Sequence, residues 1–585
     1  MRKHLYILLT ALALVSCANR GIGPQGGPKD SIPPVPVKSV PENGAVSFNG
    51  NNIEVLFNEY IELDNIAQNL LMSPPQQTPP EVKARGKRLT IHFVDSLRDS
   101  TTYTLDFGNA VCDFTEKNPL RGYSFAFSTG PFIDTLEAHG MIVNAEDLNP
   151  VFGMMAGIHS DLADSAFTKK PFDRIARSDS AGHFRIGNIH EGTYRLYALN
   201  DISRDYRLNV GESLAFAEES FTPSPEDSLE YILWLFNEQR QRLYLQRTLR
   251  DKQHVVTLLF SSSPDSLPTL RALRPSEVDS AASDSAWIDP MPYVLPQYSA
   301  NRDTVTLWLT DSIAISQDTL LFEARYRRTD SIYQLEWYTD TLRAVWRAPR
   351  MNEKAKAAKA RQDRNRKLEL KSNAKQTFEI YDTIRVTCST PLTRVVSDSI
   401  RLGLKEDTVF KPIPFEIVEN QMYMQVVAKL EQDKKYELQI DSAAMYDVYG
   451  VTNQKVTYGL QLKKPEDYST LRVHLKPFEP MARIQLLDSK DKVVRELPAD
   501  EAGSFFQYLK PDTYYMRLYI DQDGDGKWTT GCWDEQRQPE PVFYYPKKIQ
   551  TKSNWDFDEE WDYTAVSQLE SKPKELIKVT DGKKK

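Results

Sequence analysis

Short runs of alternating apolar and polar residues dominate the chain. The runs are rich in Val, Ile, Thr, Tyr and Phe, and Asp, Asn, Gly or Pro bound each of them. A period of two is typical of β-strands with one buried face, and the flanking residues are turn formers. Clear examples are residues 52–57, 88–93, 102–107, 304–309 and 436–440. The pattern predicts an all-β fold made of a string of β-sandwich domains.

Two segments of the chain recur at a distance. Residues 89–113 return as residues 424–447, each with a strand, a turn, a Tyr-x-Leu strand and a closing Ala and Asp. Residues 184–211 align without a gap to residues 504–531. The sequence therefore predicts two kinds of β-module, each present twice.

One stretch breaks the strand pattern. Residues 347–375 are dominated by Lys, Arg and Ala, which favour helix, but they lack an apolar stripe that would dock a helix. The preferred interpretation is a basic linker, helical or disordered, over residues 346–375. The alternative is an element that contacts anionic lipid headgroups.

The N-terminus has the pattern of an export signal. Arg2 and Lys3 precede an apolar run over residues 5–15, which is too short to span a bilayer. Ser16 and Cys17 complete a segment that matches the bacterial lipobox, so residues 1–16 are predicted to be a signal peptide and Cys17 the lipid attachment point. Residues 17–33, rich in Gly and Pro, are predicted to be a flexible tether. We expect acyl chains on Cys17 to hold the protein on a membrane.

The composition and the motif content argue against several classes of function. The 585 residues carry a formal net charge of -8 that is spread along the chain, which gives no reason to expect a nucleic-acid partner. Besides Cys17 there are Cys112, Cys388 and Cys532, too far apart to suggest a disulfide framework. The eight histidines show no metal-ligand spacing, and the familiar catalytic motifs are absent from the sequence.

One loop carries ligand chemistry. Asp521, Asp523 and Asp525 alternate with Gln522 and Gly524 before Gly526, like the first half of an EF-hand calcium loop. The twelfth position, which would need a bidentate Glu, is Cys532, and the nearest acids are Asp534 and Glu535. The loop predicts a Ca²⁺ site, and the other interpretation is a hairpin whose side chains cap their own backbone. In the aligned copy only Asp201 and Asp205 remain, with Arg204 between them.

The repeats resemble Ig-like domain-containing lipoproteins of the Bacteroidota lineage. Residues 34–130 are similar to the SbsA-type bacterial Ig-like domain, through Pro41-Glu42-Asn43-Gly44, residues 53–59 and the closing Phe125-Ala126-Phe127-Ser128-Thr129-Gly130. Residues from Gly140 to about Pro223 resemble the transthyretin-like regulatory fold of carboxypeptidases, through Gly182-x-Phe184-x-Ile186 and Gly192-Thr193-Tyr194. Residues 468–556 resemble a second copy. These motifs mark turns and core positions, so the resemblance implies a fold and a lineage but no activity, and no catalytic residue can be carried over from it.

The resemblance and the repeats together predict the domain order. It is a signal peptide (1–16), a tether (17–33), an Ig-like domain (34–130), a transthyretin-like domain (135–245), an Ig-like sandwich (250–345), the linker (346–375), a second Ig-like domain (376–465), a second transthyretin-like domain (466–562) and a disordered tail (563–585).

Asp-Ser and Asp-Thr pairs recur along the chain and are similar to O-glycosylation acceptors of exported proteins in that lineage. Of these, Ser31 in the tether is the predicted glycosylation site.

These observations predict a lipid-anchored outer-membrane protein that binds or scaffolds other envelope proteins and is not an enzyme. One alternative is a carbohydrate-binding lipoprotein, which would need a row of exposed aromatic residues drawn from Trp337, Trp346, Trp528, Trp533, Trp555 and Trp561. A second alternative is an enzyme with an unrecognised site. Because residues 18–20 (Ala-Asn-Arg) lack the acidic cluster that resembles a surface-export signal, the periplasmic face is favoured over the cell surface.

Overall fold

The strands form five successive β-sandwiches. The computed structural model describes residues 30–578, apart from 226–229, 239–241, 265, 267, 274–293, 331–333, 349–351, 355–357, 359–360, 362–365 and 407–408. Helices in this part are short: α1 (Ile66–Asn69), α2 (Ala166–Lys169), α3 (Ser312–Ser316), α4 (Gln568–Ser571) and 3-10 turns at Ser397–Ser399, Pro465–Asp467 and Lys574–Leu576. The all-β prediction is confirmed. A helix long and apolar enough to cross a membrane is not found in the described ranges.

Sandwich 1 packs a four-stranded sheet, β1-β2-β6-β5, against the sheet β4-β7-β9, with the pair β3-β8 beside them. Along β2 the residues alternate strictly between exposed and buried, and Ile53, Val55 and Phe57 enter the core. Its strands are β1 (Pro36–Val40), β2 (Asn52–Phe57), β3 (Ile61–Leu63), β4 (Leu71–Ser73), β5 (Glu81–Arg85), β6 (Arg88–His92), β7 (Thr102–Asp106), β8 (Val111–Asp113) and β9 (Ser124–Ser128).

Sandwich 4 repeats the topology of sandwich 1. Its sheets are β24-β25-β30-β29 and β28-β27-β31-β33, with the pair β26-β32, so it differs by the added strand β28. Its strands are β24 (Leu370–Ser372), β25 (Ile384–Cys388), β26 (Leu392–Val395), β27 (Ile400–Glu406), β28 (Val409–Pro412), β29 (Glu416–Glu419), β30 (Tyr423–Val427), β31 (Lys435–Ile440), β32 (Met445–Asp447) and β33 (Val456–Gln461). The first predicted repeat is confirmed, because its strands occupy equivalent places in the two sandwiches.

Sandwiches 2 and 5 also share one topology. In sandwich 2 the sheets are β13-β10-β16 and β12-β11-β14-β15. In sandwich 5 they are β37-β34-β41 and β36-β35-β38-β39, and a fifth strand, β40, pairs with β38 in the second sheet. In each, the first and last strands pair in parallel. The strands are β10 (Leu136–Asn144), β11 (Met155–His159), β12 (Arg174–Arg177), β13 (His183–Ile189), β14 (Arg195–Leu199), β15 (Leu214–Phe216) and β16 (Glu230–Leu235), then β34 (Ser469–Lys476), β35 (Ala482–Leu487), β36 (Val493–Pro498), β37 (Ser504–Leu509), β38 (Thr513–Ile520), β39 (Val542–Tyr544), β40 (Ile549–Gln550) and β41 (Asp556–Asp562). The second predicted repeat is confirmed.

Sandwich 3 lies between the repeats and has its own core. The sheets β17-β18-β21-β20 and β19-β22-β23 enclose residues such as Val256, Leu258 and Phe322. Its strands are β17 (Leu245–Lys252), β18 (Val255–Phe260), β19 (Thr269–Leu273), β20 (Val294–Tyr298), β21 (Thr304–Leu309), β22 (Thr319–Thr329) and β23 (Leu335–Val345).

A buried arginine joins sandwiches 1 and 2. The guanidinium of Arg174, on β12, donates to the carbonyl of Thr102 and to Thr104 Oγ1 on β7, the latter over 3.1 Å. It also donates to the carbonyl of Gly187. Burial lowers the pKa of Arg174 to about 10. A buried cation without its hydrogen-bond acceptors is costly, so these bonds fix how the two sandwiches meet.

A second charged cluster joins sandwiches 4 and 5. Glu379 accepts hydrogen bonds from Tyr468 over 2.6 Å and from Lys463 over 2.9 Å, and it lies 2.9 Å from the Lys510 ammonium. Burial alone would raise the pKa of Glu379, but these donors lower it to about 2. The carboxylate therefore stays charged and paired over the usual pH range.

The basic segment does not extend as far as residue 375. Leu368 is buried in the core of sandwich 4, and β24 pairs with β25. Residues 368–372 thus belong to the sandwich, although the sequence placed them in the linker. Much of 349–365 lies outside the described residues.

Residues 563–578 are structured, so the prediction of disorder from residue 563 is wrong for this part. It forms α4 and the turn Lys574–Leu576, and Leu576 is buried against sandwich 5. Lys572 Nζ lies 2.9 Å from Asp491 Oδ2 in sandwich 5, with side chains only 1% and 2% exposed. The same ammonium donates to the carbonyl of Asp147 in sandwich 2. The lysine was missed because a Lys-rich C-terminus is usually solvated.

Lys572→Ala should destabilise the protein by about 3–5 kcal/mol, because it leaves the Asp491 carboxylate buried without its cation. The matched control is Lys574→Ala, which removes an exposed ammonium two residues away. Calorimetric unfolding of both variants measures the difference. Equal stability of the two variants would contradict the structural role of Lys572.

Candidate functional site

The larger sheet of sandwich 2 and the larger sheet of sandwich 5 are apolar on both faces. In β14, Leu196 and Ala198 point into the core of sandwich 2, whereas Tyr197 and Leu199 belong to a separate cluster on the outer face. All four side chains are buried. An apolar outer face must be covered by other elements, since its exposure to water would be unfavourable.

Sandwich 5 supplies part of that cover for sandwich 2. Trp533 lies over the outer sheet face, with its ring centroid 5.1 Å from that of Phe167, 5.9 Å from Tyr197 and 5.3 Å from Phe216. Only 7% of Trp533 is exposed. Edge-to-face contacts of this kind add to the stabilisation from buried area.

Sandwich 2 covers the outer face of sandwich 5 in return. Leu148, in the turn after β10, packs in a cluster with Tyr515, Tyr519 and Tyr544. Arg517 Nη1 donates to the carbonyl of Glu146 in the same turn over 3.1 Å. The contact between the two sandwiches is therefore reciprocal, and Trp234 and Trp528 pack against both clusters.

The loop that carries Trp533 is an insertion. β15 begins 21 residues after Thr193, and β39 begins 29 residues after the aligned Thr513, so the second copy has eight more residues before its next strand. This loop, from its aligned part through its inserted residues, also makes polar contacts to sandwich 2. Trp533 N donates to Glu238 Oε1, Thr530 Oγ1 to the Asn237 carbonyl over 3.0 Å, and Gln538 Nε2 to the Phe216 carbonyl over 2.9 Å.

The predicted metal residues begin this same loop. The structure brings Asp521, Asp523 and Asp525 together, with one carboxylate oxygen of each within 4.8 Å of the others. Asp523 accepts from the Thr529 hydroxyl over 2.8 Å, and this bond lowers its pKa. Cation binding by these three residues stays a prediction.

Glu540 is a fourth acid at this loop, and the spacing of the acids in the sequence does not reveal it. It is 3% exposed, and its carboxylate accepts from the backbone N–H groups of Gln522 and Thr529. Burial raises the pKa of Glu540, and the neighbouring Asp523 and Asp521 raise it further. In sandwich 2 Glu212 has this role, accepting from Ile202 and Ser203. Glu540 and Glu212 therefore occupy equivalent positions. A gap-free alignment of the two repeats does not show this equivalence, because without a gap for the insertion it pairs Glu212 with Cys532.

The two remaining predicted sites, Cys17 and Ser31, lie near the N-terminus. Cys17 lies outside the described residues. Ser31 is exposed, and beside it Asp30 Oδ1 accepts from the backbone N–H of Ile32. Its glycosylation stays a prediction.

The six tryptophans considered for a carbohydrate-binding surface do not form one exposed row. Trp533 and Trp561 are buried, Trp346 and Trp528 are partly buried, and Trp337 and Trp555 are exposed in sandwiches 3 and 5 respectively.

Three buried or half-buried side chains with reactive groups pack in cores and junctions. Cys388 is in the core of sandwich 4, and burial raises its pKa to about 12. His159 packs between Phe172 and Tyr197, and burial lowers its pKa. His254 packs against Tyr449 of sandwich 4, and burial with the nearby Arg366 and Lys252 lowers its pKa to about 4. These side chains fill cores and junctions.

Residues 30–129 match a family model described as a bacterial Ig-like domain. This match coincides with sandwich 1 and agrees with the predicted Ig-like domain. No sequence among the curated proteins matches the chain.

Solved structures show only distant similarity. The N-terminal part of the bacterial S-layer protein SbsC is 12% identical over 35% of this chain and 44% of its own, with a TM-score of 0.13. Domains 1–6 of SbsC are 10% identical over 83% of this chain and 64% of their own, with a TM-score of 0.13. The Bacteroides ovatus mixed-linkage glucan utilization protein SGBP-B, solved with a heptasaccharide, is 9% identical over 71% and 94%, with a TM-score of 0.16. The chain spans less than two thirds of either SbsC structure, and similarity at this level carries no inference about function.

Trp533→Ala should loosen the contact between sandwiches 2 and 5 at a cost of about 3–5 kcal/mol, because it opens a cavity in a closely packed aromatic cluster. Trp555→Ala removes an exposed tryptophan and should change stability by less than about 0.5 kcal/mol. Thermal unfolding of the full chain measures both effects. Indistinguishable unfolding of the two variants would show that Trp533 does not hold the junction.

Proposed function

We propose that this chain is a lipid-anchored protein of the outer membrane, which binds or holds other envelope proteins without catalysing a reaction. The lipobox at Cys17 supports the anchor, and the Ig-like match over residues 30–129 supports a binding or structural role. The junctions support a body with fixed geometry, since sandwich 5 packs against sandwich 2 although sandwiches 3 and 4 separate them in sequence. The periplasmic face is the proposed location.

The observation that carries the binding proposal is the exposed end of the β22–β23 hairpin. β23 is the outer strand of its sheet, and residues 335–339 are exposed on both faces. Trp337 is 55% exposed and Tyr338 39%. Arg325 lies 5.0 Å from the Trp337 ring and Arg328 4.7 Å from the Tyr338 ring.

Such an edge suits an extended segment of a partner. An outer strand has free backbone groups that pair with an added strand, and exposed aromatic and arginine side chains are typical of contact residues. The proposed partner is therefore an envelope protein that offers an extended chain. The surface arginines favour a segment with acidic residues.

A second candidate function is carbohydrate binding, and one observation favours it. Trp555 is 53% exposed beside a cavity of about 190 Å³ that Tyr468, Tyr508, Asn554 and Asp556 also line. An aromatic face with polar neighbours suits a sugar ring. The cavity is small, so it would fit a single sugar unit.

A photo-crosslinking residue at position 337 in living cells tests the first function against the second. Position 555 is the matched control, because it replaces an exposed tryptophan on another sandwich. We expect position 337 to trap a defined envelope protein and position 555 to trap none. Trapping of glycan at 555, with no protein at 337, would contradict the binding proposal and favour the second function.

Cys17→Ala should release the protein from membranes, because it removes the attachment point of the acyl chains that are the proposed anchor. Fractionation after a high-salt wash measures the release. Cys532→Ala is the control for loss of a thiol and should stay in the membrane fraction. A Cys17→Ala protein that still sediments with the outer membrane would overturn the lipid anchor.

A further inference from the structure

The acidic start of the inserted loop contains one carboxylate oxygen that the protein leaves unsatisfied. Asp521 is 5% exposed; its Oδ2 accepts from Gly526 N over 2.9 Å, and its Oδ1 is buried without a hydrogen-bond partner. Buried carboxylate oxygens in folded proteins nearly always have a donor. This one is part of the group whose oxygens converge within 4.8 Å, together with Asp523 and Asp525.

The equivalent loop of sandwich 2 shows how protein donors satisfy such a group. There Asp201 Oδ1 accepts from Asp205 N over 3.2 Å and Oδ2 from Tyr206 N over 3.1 Å. The Asp205 carboxylate accepts from Arg207 Nε and from Asn209 Nδ2, over 2.7 and 2.9 Å. An arginine thus supplies the positive charge in the first copy. The second copy has Lys527 at the aligned position, and it is exposed.

The charges around the 521 loop favour a cation. Glu540 adds a fourth acid that is buried behind the loop. Two nearby arginines attract these acids, Arg483 acting on Asp521 and Arg537 on Asp523. Each arginine is also paired with another carboxylate: Arg483 Nε lies 2.6 Å from Glu496 Oε1, and Arg537 Nε lies 3.1 Å from Glu535 Oε2. The carboxylates therefore repel one another, and a bound cation would relieve that repulsion.

We propose that Asp521, Asp523 and Asp525 bind Ca²⁺, and that the ion fixes the start of the loop that carries Trp533 into sandwich 2. Hard carboxylate oxygens in a partly exposed loop suit Ca²⁺, whose coordination geometry is flexible, better than Mg²⁺, which demands near-ideal octahedral geometry. The ion supplies the partner that Asp521 Oδ1 lacks. Occupancy of the site then stabilises the junction between sandwiches 2 and 5, because the same loop reaches from Asp521 to Glu540 through Trp533.

Calorimetric titration of the purified full chain with Ca²⁺ tests the site. We expect saturable binding of one ion, with a Kd of about 10⁻⁴–10⁻³ M, as in weak calcium modules. Asp525→Asn should weaken binding about tenfold or more, since it removes a charged ligand. The variant keeps Oδ1 as acceptor for Lys527 N and changes an exposed side chain, so the fold should survive. Asp523→Asn is a second variant with the same expectation.

The matched control is Asp205→Asn in the other copy, which should bind Ca²⁺ as the unchanged protein does. Absence of binding at 10 mM Ca²⁺, or equal loss in the Asp205→Asn protein, would overturn the site.

Hydrogen exchange of residues 527–538 tests the link to the junction. It should slow when saturating Ca²⁺ is added, and should not change with Ca²⁺ in the Asp525→Asn protein. Binding without any change in exchange would overturn the proposed bracing of the loop.

Discussion

The structure depends on covering two apolar sheet faces that neither repeat can cover alone. Tyr197 and Phe216 in sandwich 2, and Tyr515 and Tyr519 in sandwich 5, point away from their own cores. Because hydrophobic burial is the dominant favourable contribution to folding and association, the two faces are stable only when covered. Each sandwich uses a turn or loop of the other for part of that cover. This requirement brings the last sandwich back to the second one.

The two copies are alike in topology and differ where they meet. Sandwich 5 carries the insertion with Trp533, whereas sandwich 2 carries Leu148 in a short turn. The tail then adds Lys572, whose ammonium contacts Asp491 of one sandwich and the Asp147 carbonyl of the other. The repeat has thus diverged into two complementary surfaces. Two copies within one chain can have different sequences, so their contact surfaces can become complementary in this way.

Much of the fold follows from the sequence, but the junction does not. Alternation and the two repeats predicted the strands, because a period of two is a local property. Packing between distant segments is not local, and Trp533 stands in a loop without any periodic pattern. One signal was present: the uninterrupted apolar run of Tyr514–Met516 predicts a strand that is buried on both faces. The acids of the 521 loop were predicted from their spacing, whereas Glu540 was hidden by the insertion that separates it from them.

The most direct test of the junction removes the inserted residues 532–539 and follows hydrogen exchange in sandwich 2. Exchange reports local opening, so it shows which faces lose their cover. The account predicts faster exchange at residues 166–172 and 214–216, which lie beneath Trp533, and unchanged exchange in the sandwich 1 strands β2 and β6. Unchanged exchange throughout sandwich 2 would contradict the conclusion that sandwich 5 covers it.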